Sequence, residues 1–253
     1  MIKFSIGCDP EFFLTQNNNY KSAVGLIGGS KWHPKPIDKD GHAVLEDNVA
    51  VEFNIAPATT YEAFRSSIHK VLDHCRSILP GYDFSHASAI SFPEEELNTP
   101  QAQEFGCEPD YNAWTQRRNP KPMAKDENLR SAGGHIHVGN DVAIEHPLEV
   151  IQAMDLFLGV PAHVLDNGEL RKQLYGKAGC FRPKPYGCEY RTLSNFWIWD
   201  DALIKWAFDG TQRALEFVSN GNKLSDQDGH AIQACINDNN HEAYKHLQGA
   251  FAL

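Results

Sequence analysis

"GCDPEFFL", residues 7–14, sets two carboxylates, Asp9 and Glu11, into a run that is otherwise apolar. A strand over residues 4–14 points both acids to one face, because side chains alternate along a strand with a period of two. Carboxylates leave water only when they are hydrogen-bonded, paired with cations or bound to metal. Either this is an edge strand with its acids in water, or partners come to it from elsewhere in the chain.

Three further stretches carry the same spacing. "EDNVAVEFNIA" (46–56) reads as one strand in which Glu52 and Asn54 share a face; Glu46 and Asp47 at its start are ligand candidates or a polar turn. "GGHIHVG" (133–139) puts His135 and His137 on one face between glycines, an arrangement that suits a divalent cation or a phosphate, and equally a hydrogen-bonded core pair. "GCEYRTLSNFW" (187–197) places Glu189 beside Arg191, with Arg182 and Lys184 just upstream. A same-face salt bridge accounts for that last pair, and so does a phosphate site, since planar guanidinium meets phosphate bidentately. Curling the four strands into one sheet gathers acids, imidazoles and guanidinium on a concave face. Such a face suits hard cations held against a triphosphate.

The remainder of the chain sets bounds. At 253 residues it can bury a full core, and the expectation is a single domain spanning 1–253. A net charge of −10 and a mean hydropathy of −0.45 describe a soluble globular chain and argue against duplex nucleic acid as a partner. No run reads as a membrane span or signal peptide, so a cytoplasmic location is expected. The six cysteines form no CxxC pair, which points to reduced thiols. The expected elements are short strands over 15–45 with a turn at "KDG", helices at 60–78, 147–166 and 200–219, long loops over 92–130, a strand at 187–193 and two short helices at the end. Together they predict an α+β fold: a curved, mainly antiparallel sheet with helices on the convex side.

In this order the motifs resemble the glutamine synthetase and glutamate–cysteine ligase superfamily, over segments 4–14, 46–54, 133–139 and 180–195. More narrowly, with "FGCEPDYNAW" (105–114), the chain is similar to the phage-type carboxylate–amine ligases, COOH-NH2 ligase type 2, also described as amidoligases. The resemblance implies a glutamine-synthetase-like catalytic domain that uses ATP and Mg2+ (or Mn2+) to phosphorylate a carboxylate and then joins it to an amine through the acyl phosphate. It implies Glu11 and Glu52, with Glu46 or Asp47, as ligands of one metal cluster, and Asp9, His135 and Glu189 of the other. His137 and Lys184 would contact ATP, and Arg182 and Arg191 would steady the phosphoryl group, with Glu52 also in the catalytic set. Glu108, Asp110 and Asn112, in the long loop region, are candidates for substrate recognition, a solvated acidic loop being the alternative. The partners implied are small-molecule or peptide carboxylates and amines, in a host cytoplasm if the chain is phage-encoded, with oligomeric state open. The resemblance also covers guanidino-kinase-type phosphotransferases, and a metal-dependent hydrolase and a catalytically silent binding protein are the other functions left open.

Overall fold

Alternation along the first strand, Ser5–Gln16, organises the molecule. The computed structural model describes residues 2–103, 110–120, 125–166, 168 and 170–253. On one side Ser5–Gln16 pairs with Gly134–Gly139, setting Asp9 opposite His135. On the other it pairs with Ala50–Asn54, setting Glu11 opposite Glu52. Gly187–Tyr190 follows Gly134–Gly139 with Glu189 opposite His137, and Cys180–Lys184 comes next with Arg182 opposite Glu189. Among the described residues these strands belong to one eleven-stranded sheet whose ladders are antiparallel. The expected mixed fold with a large antiparallel sheet is what the chain adopts.

The period of two then sorts the faces. Ile6, Cys8, Phe12 and Leu14 of the first strand, with Val51, Phe53, Ile136, Val138 and Tyr190 of its neighbours, form one buried cluster with Phe64, Ile68 and Val71 of the helix Tyr61–Ile78. Burying each such side chain contributes roughly 1.5–3 kcal/mol, so this face drives the sheet onto the helices. Thr60 caps that helix by accepting the Ala63 N–H. The acids and imidazoles take the opposite face because the apolar residues have taken the first.

Four expectations need correction. Residues 46–56 are not one strand but a hairpin, Ala43–Asp47 and Ala50–Asn54, turning at Asn48, which sits at φ 55°. The run 147–166 is interrupted: Pro147–Met154 and Val160–Leu165 are α-helical, and Asp155–Gly159 between them is a turn of π-helix. Pro161, one residue into the last segment, has no N–H to give and its ring crowds the preceding turn, which widens. By length and composition Pro147–Leu165 is also apolar enough to cross a membrane, against the expectation that no run is. Here it is a core element, with Val150, Ile151, Met154, Leu156, Leu158 and Val160 in the main cluster. The 187–193 strand ends at Tyr190, after which the Arg191 N–H donates to the Cys180 carbonyl. The final two helices, Asp226–Asp238 and His241–Phe251, stand where the sequence puts them.

Candidate active site

The face opposite the helices carries two groups of acids side by side. In the first, Glu11, Asp47 and Glu52 each offer an oxygen within 4.8 Å of the others. Glu11 and Glu52 are cross-strand neighbours, and the hairpin brings in Asp47. Burial, and then the charge of Asp47, push Glu11 up to about 7 in spite of the Gly133 N–H it accepts and the nearby charges of Arg171 and Arg191. Burial also drives Glu52 well above the usual carboxylate range, helped by Asp9, Asp47 and Glu11. Three acids that crowd one another so closely are relieved by a hard cation, which takes carboxylate oxygens.

The second group is Asp9, His137 and Glu189. His137 Nε2 lies 3.1 Å from Asp9 Oδ1, yet these two buried atoms do not meet hydrogen-bond geometry, an arrangement that fits a shared ion. Tyr186 Oη, 2.6 Å from His137 Nδ1, fixes the ring so that Nε2 points to Asp9. Burial would raise the Asp9 carboxyl, but His137 and His135 hold it well below its ordinary value. Burial would lower His137, and Asp9 outweighs it, so the imidazole pKa rises. Glu189 is fully buried. It accepts from Arg191 Nη1, with Lys184 Nζ at 2.8 Å and Arg182 Nη1 at 3.5 Å. Burial and Asp9 push it up, and Arg191 with the two histidines brings it down to about 2.

This geometry redistributes the expected roles. His137 rather than His135 makes the tight group with Asp9 and Glu189. His135 stands beside it, with Nδ1 at 3.5 Å from Asp9, 3.8 Å from Glu189 and 3.2 Å from Arg191 Nη1. Burial and the Arg191 charge lower His135 to about 4, so it is a neutral acceptor at pH 7. Glu46 is no ligand. It pairs with Val51, one residue out of phase with the Leu45–Glu52 pair, and so faces the other way. Its carboxylate instead accepts the backbone N–H groups of Gly25, Ile27 and Gly28 at 2.9, 2.9 and 2.7 Å. Asn112 is likewise committed to local structure: Oδ1 accepts from the Trp114 and Thr115 N–H groups and Nδ2 donates to Ala178. Asp110 accepts from Asn119 at 3.0 Å and lies 3.5 Å from Arg191 Nε, at the edge of the site. Glu108 lies outside the described residues.

Arg171 is a site residue that the sequence motifs do not reveal. Only 3% exposed, it donates from Nη1 to the Thr192 carbonyl at 2.9 Å, and Glu11 is the first of the charges that sustain it against burial. With Arg191, Glu11, Asp47 and His135 it lines a cavity of about 920 Å3. Another is Asp155, buried on the helix side in the π turn. Its carboxylate accepts from Trp114 Nε1, the Gly179 N–H, Tyr190 Oη and Thr192 Oγ1 at 2.7, 2.6, 2.8 and 3.1 Å. It thereby ties the helix to both ends of the segment that carries Glu189 and Arg191. An acid inside "IQAMDLFLG" is itself a signal, since an unpaired carboxylate does not stay in an apolar run.

Among solved structures the chain is similar to a bifunctional glutathione synthetase from Pasteurella multocida, at 13% identity and a TM-score of 0.49, over 93% of this chain and 40% of that one. The chain thus spans two fifths of the length of that protein. Residues 127–237 match the family described as Phage phiEco32-like COOH.NH2 ligase-type 2. The resemblance carried by the motifs holds over this stretch, which contains His135, His137, Arg171, Arg182, Glu189 and Arg191. The family is one of carboxylate–amine ligases. No curated protein matches the sequence.

Proposed function

We propose that the protein is an ATP- and Mg2+-dependent carboxylate–amine ligase, with a glutamine-synthetase-like sheet working as one catalytic unit. In this reaction a carboxylate oxygen takes the terminal phosphoryl group of ATP and ADP departs. An amine then attacks the acyl carbon, phosphate leaves, and an amide bond remains. The observation that carries the reading is the pair of ligand groups, Glu11/Asp47/Glu52 and Asp9/His137/Glu189, on neighbouring strands of one face and flanked by arginines.

Each group would hold one Mg2+ or Mn2+, and a bound ion supplies charge neutralisation at the phosphates. The chain's own residues do the rest. Arg182 and Arg191 offer fixed guanidinium donors to the transferred phosphoryl group, whose charge is spread over its oxygens. Lys184, now against Glu189, is within reach of the same region. Arg171 and Arg191 line the cavity beside Glu11 and Asp47 and offer guanidinium donors to a substrate carboxylate. Asp110, beside Arg191, offers an acceptor for the incoming ammonium group. No protein nucleophile is required. Buried cysteines such as Cys188, whose thiol burial pushes up to about 12, are packing residues.

Titration calorimetry with a nonhydrolysable ATP analogue tests this without knowledge of the other substrates. Binding should require Mg2+ and weaken at least tenfold in Glu11→Gln. A folded wild-type protein that ignores millimolar analogue in the presence of Mg2+ is no ATP-dependent ligase.

A further inference from the structure

The cavity extends beyond the acids and arginines of the ligand groups to the exposed Lys31 and Trp32 turn. Arg171, Arg191 and His135, each no more than 6% exposed, line its buried part, and Trp32, 72% exposed, lines its open part. About 920 Å3 lies near the top of the roughly 300–1,000 Å3 range that encloses ligands of drug size. Nucleotide phosphates at the ligand groups take up part of it, and the lining continues past them to Lys31 and Trp32.

The outer end is also built. Ser30 and His33 exchange two backbone hydrogen bonds of 3.0 Å, closing a tight turn with Lys31 and Trp32 at its tip. The loop leading into the turn is fastened by the Glu46 carboxylate to three N–H groups and by Lys35 Nζ to the Ile27 carbonyl at 3.0 Å. Gly29, at φ +100°, brings the backbone so close to Lys35 and Val44 that a side chain there would collide with both. A fixed loop therefore holds a flat aromatic ring in water, one residue from a lysine that makes no ion pair among the described residues. Exposing so large an apolar side chain has a use when a ligand covers it.

Building on the ligase reading, we propose that this cavity takes the carboxylate substrate as a chain of several residues. The reacting carboxylate lies at the Glu11, Asp47 and Glu52 end, and the body of the chain lies across Trp32 and Lys31. Arg171 and Arg191 offer guanidinium donors to the carboxylate beside the acids, and Lys31 adds attraction at the mouth for an anionic chain. Apolar contact with Trp32 is available only to a donor long enough to reach it.

The test is equilibrium binding, followed by intrinsic fluorescence, of N-acetylated peptide pools. The pools have one, three or five randomised residues and a free C-terminal carboxylate. Affinity should rise at least tenfold from one residue to five, and Trp32→Ala should abolish that rise; C-terminally amidated pools should bind at least tenfold more weakly. Because the variant also removes a fluorophore, its titrations are read by calorimetry alongside the wild type. Equal affinity for all three lengths, or a length dependence that survives Trp32→Ala, overturns the inference. Mg2+-dependent nucleotide binding on the same samples keeps the two ideas apart. If the analogue binds but length has no effect, only the peptide-sized donor falls. If length matters but the analogue does not bind, the cavity assignment stands and the ligase reading falls.

Discussion

Glu46 and Asp47 are adjacent acids with opposite assignments, and they show how finely one residue position decides a role. Asp47 shares its face with Glu52, while Glu46 points across the hairpin to the Gly25–Gly28 loop. Asp47→Asn should weaken Mg2+ binding about tenfold or more and leave the melting temperature nearly unchanged. Glu46→Gln should do the reverse: its amide nitrogen faces an N–H donor that the carboxylate used to satisfy, at a cost of about 1–3 kcal/mol. Calorimetric Mg2+ titration and thermal unfolding of both variants separate the two cases, and equal effects on metal binding would refute the assignment. Cys188→Ala, at a buried position on the helix side, should keep full turnover if it folds, because no step of the proposed reaction uses a thiol. Loss of turnover in a folded Cys188→Ala protein would point to a covalent mechanism.

At the level of the element, the π turn at Asp155–Gly159 is the place where a buried charge meets the strand that supplies Glu189 and Arg191. Burial outweighs the four donors and raises the Asp155 carboxyl to about 7. An acid whose pKa is higher folded than unfolded binds the extra proton in the folded state. It therefore costs stability as pH climbs from about 4 to about 7, and the full cost applies above that. Urea midpoints of the wild type should accordingly fall over that window, and Asp155→Asn should show a shallower fall. Parallel profiles would mean that Asp155 does not titrate in this range. Elements also set the limit of what the sequence conveys. The pairs Asp9/Glu11, His135/His137 and Glu189/Arg191 were legible because alternation is local, and each strand carries its own pattern. The 43–54 hairpin was not, because its two-residue turn at Asn48 and Val49 contains a valine that continues the apolar pattern and reads as strand. Within the hairpin it is Asp47, not Glu46, that shares the face of Glu52. Arg171 had no pattern at all: it opens a single 3-10 turn, Arg171–Gln173, too short to carry a periodicity, and reaches Glu11 only through the fold.

Across the whole molecule, the site is assembled from residues 9 to 191, with Ser5–Gln16 paired on both sides by strands distant in the chain. Folding is thus what brings the like charges together, and a bound cation should add to stability. At ten times its dissociation constant, Mg2+ should contribute about 1.4 kcal/mol, and the melting temperature should rise by roughly 3–6 °C. Scanning calorimetry of wild type and Glu11→Gln, with Mg2+ and with chelator, reads this directly; an equal rise in both proteins would place the ion elsewhere. The fastened loop at the cavity mouth has a different consequence. Its anchors lie in the Ser30–His33 pairing and the Glu46 clasp, and neither Lys31 nor Trp32 takes part in them. These two tip positions can therefore be exchanged like the bit of a drill, and a combinatorial library at 31 and 32 offers a route to retarget which chain is accepted while the machinery behind it stays as it is.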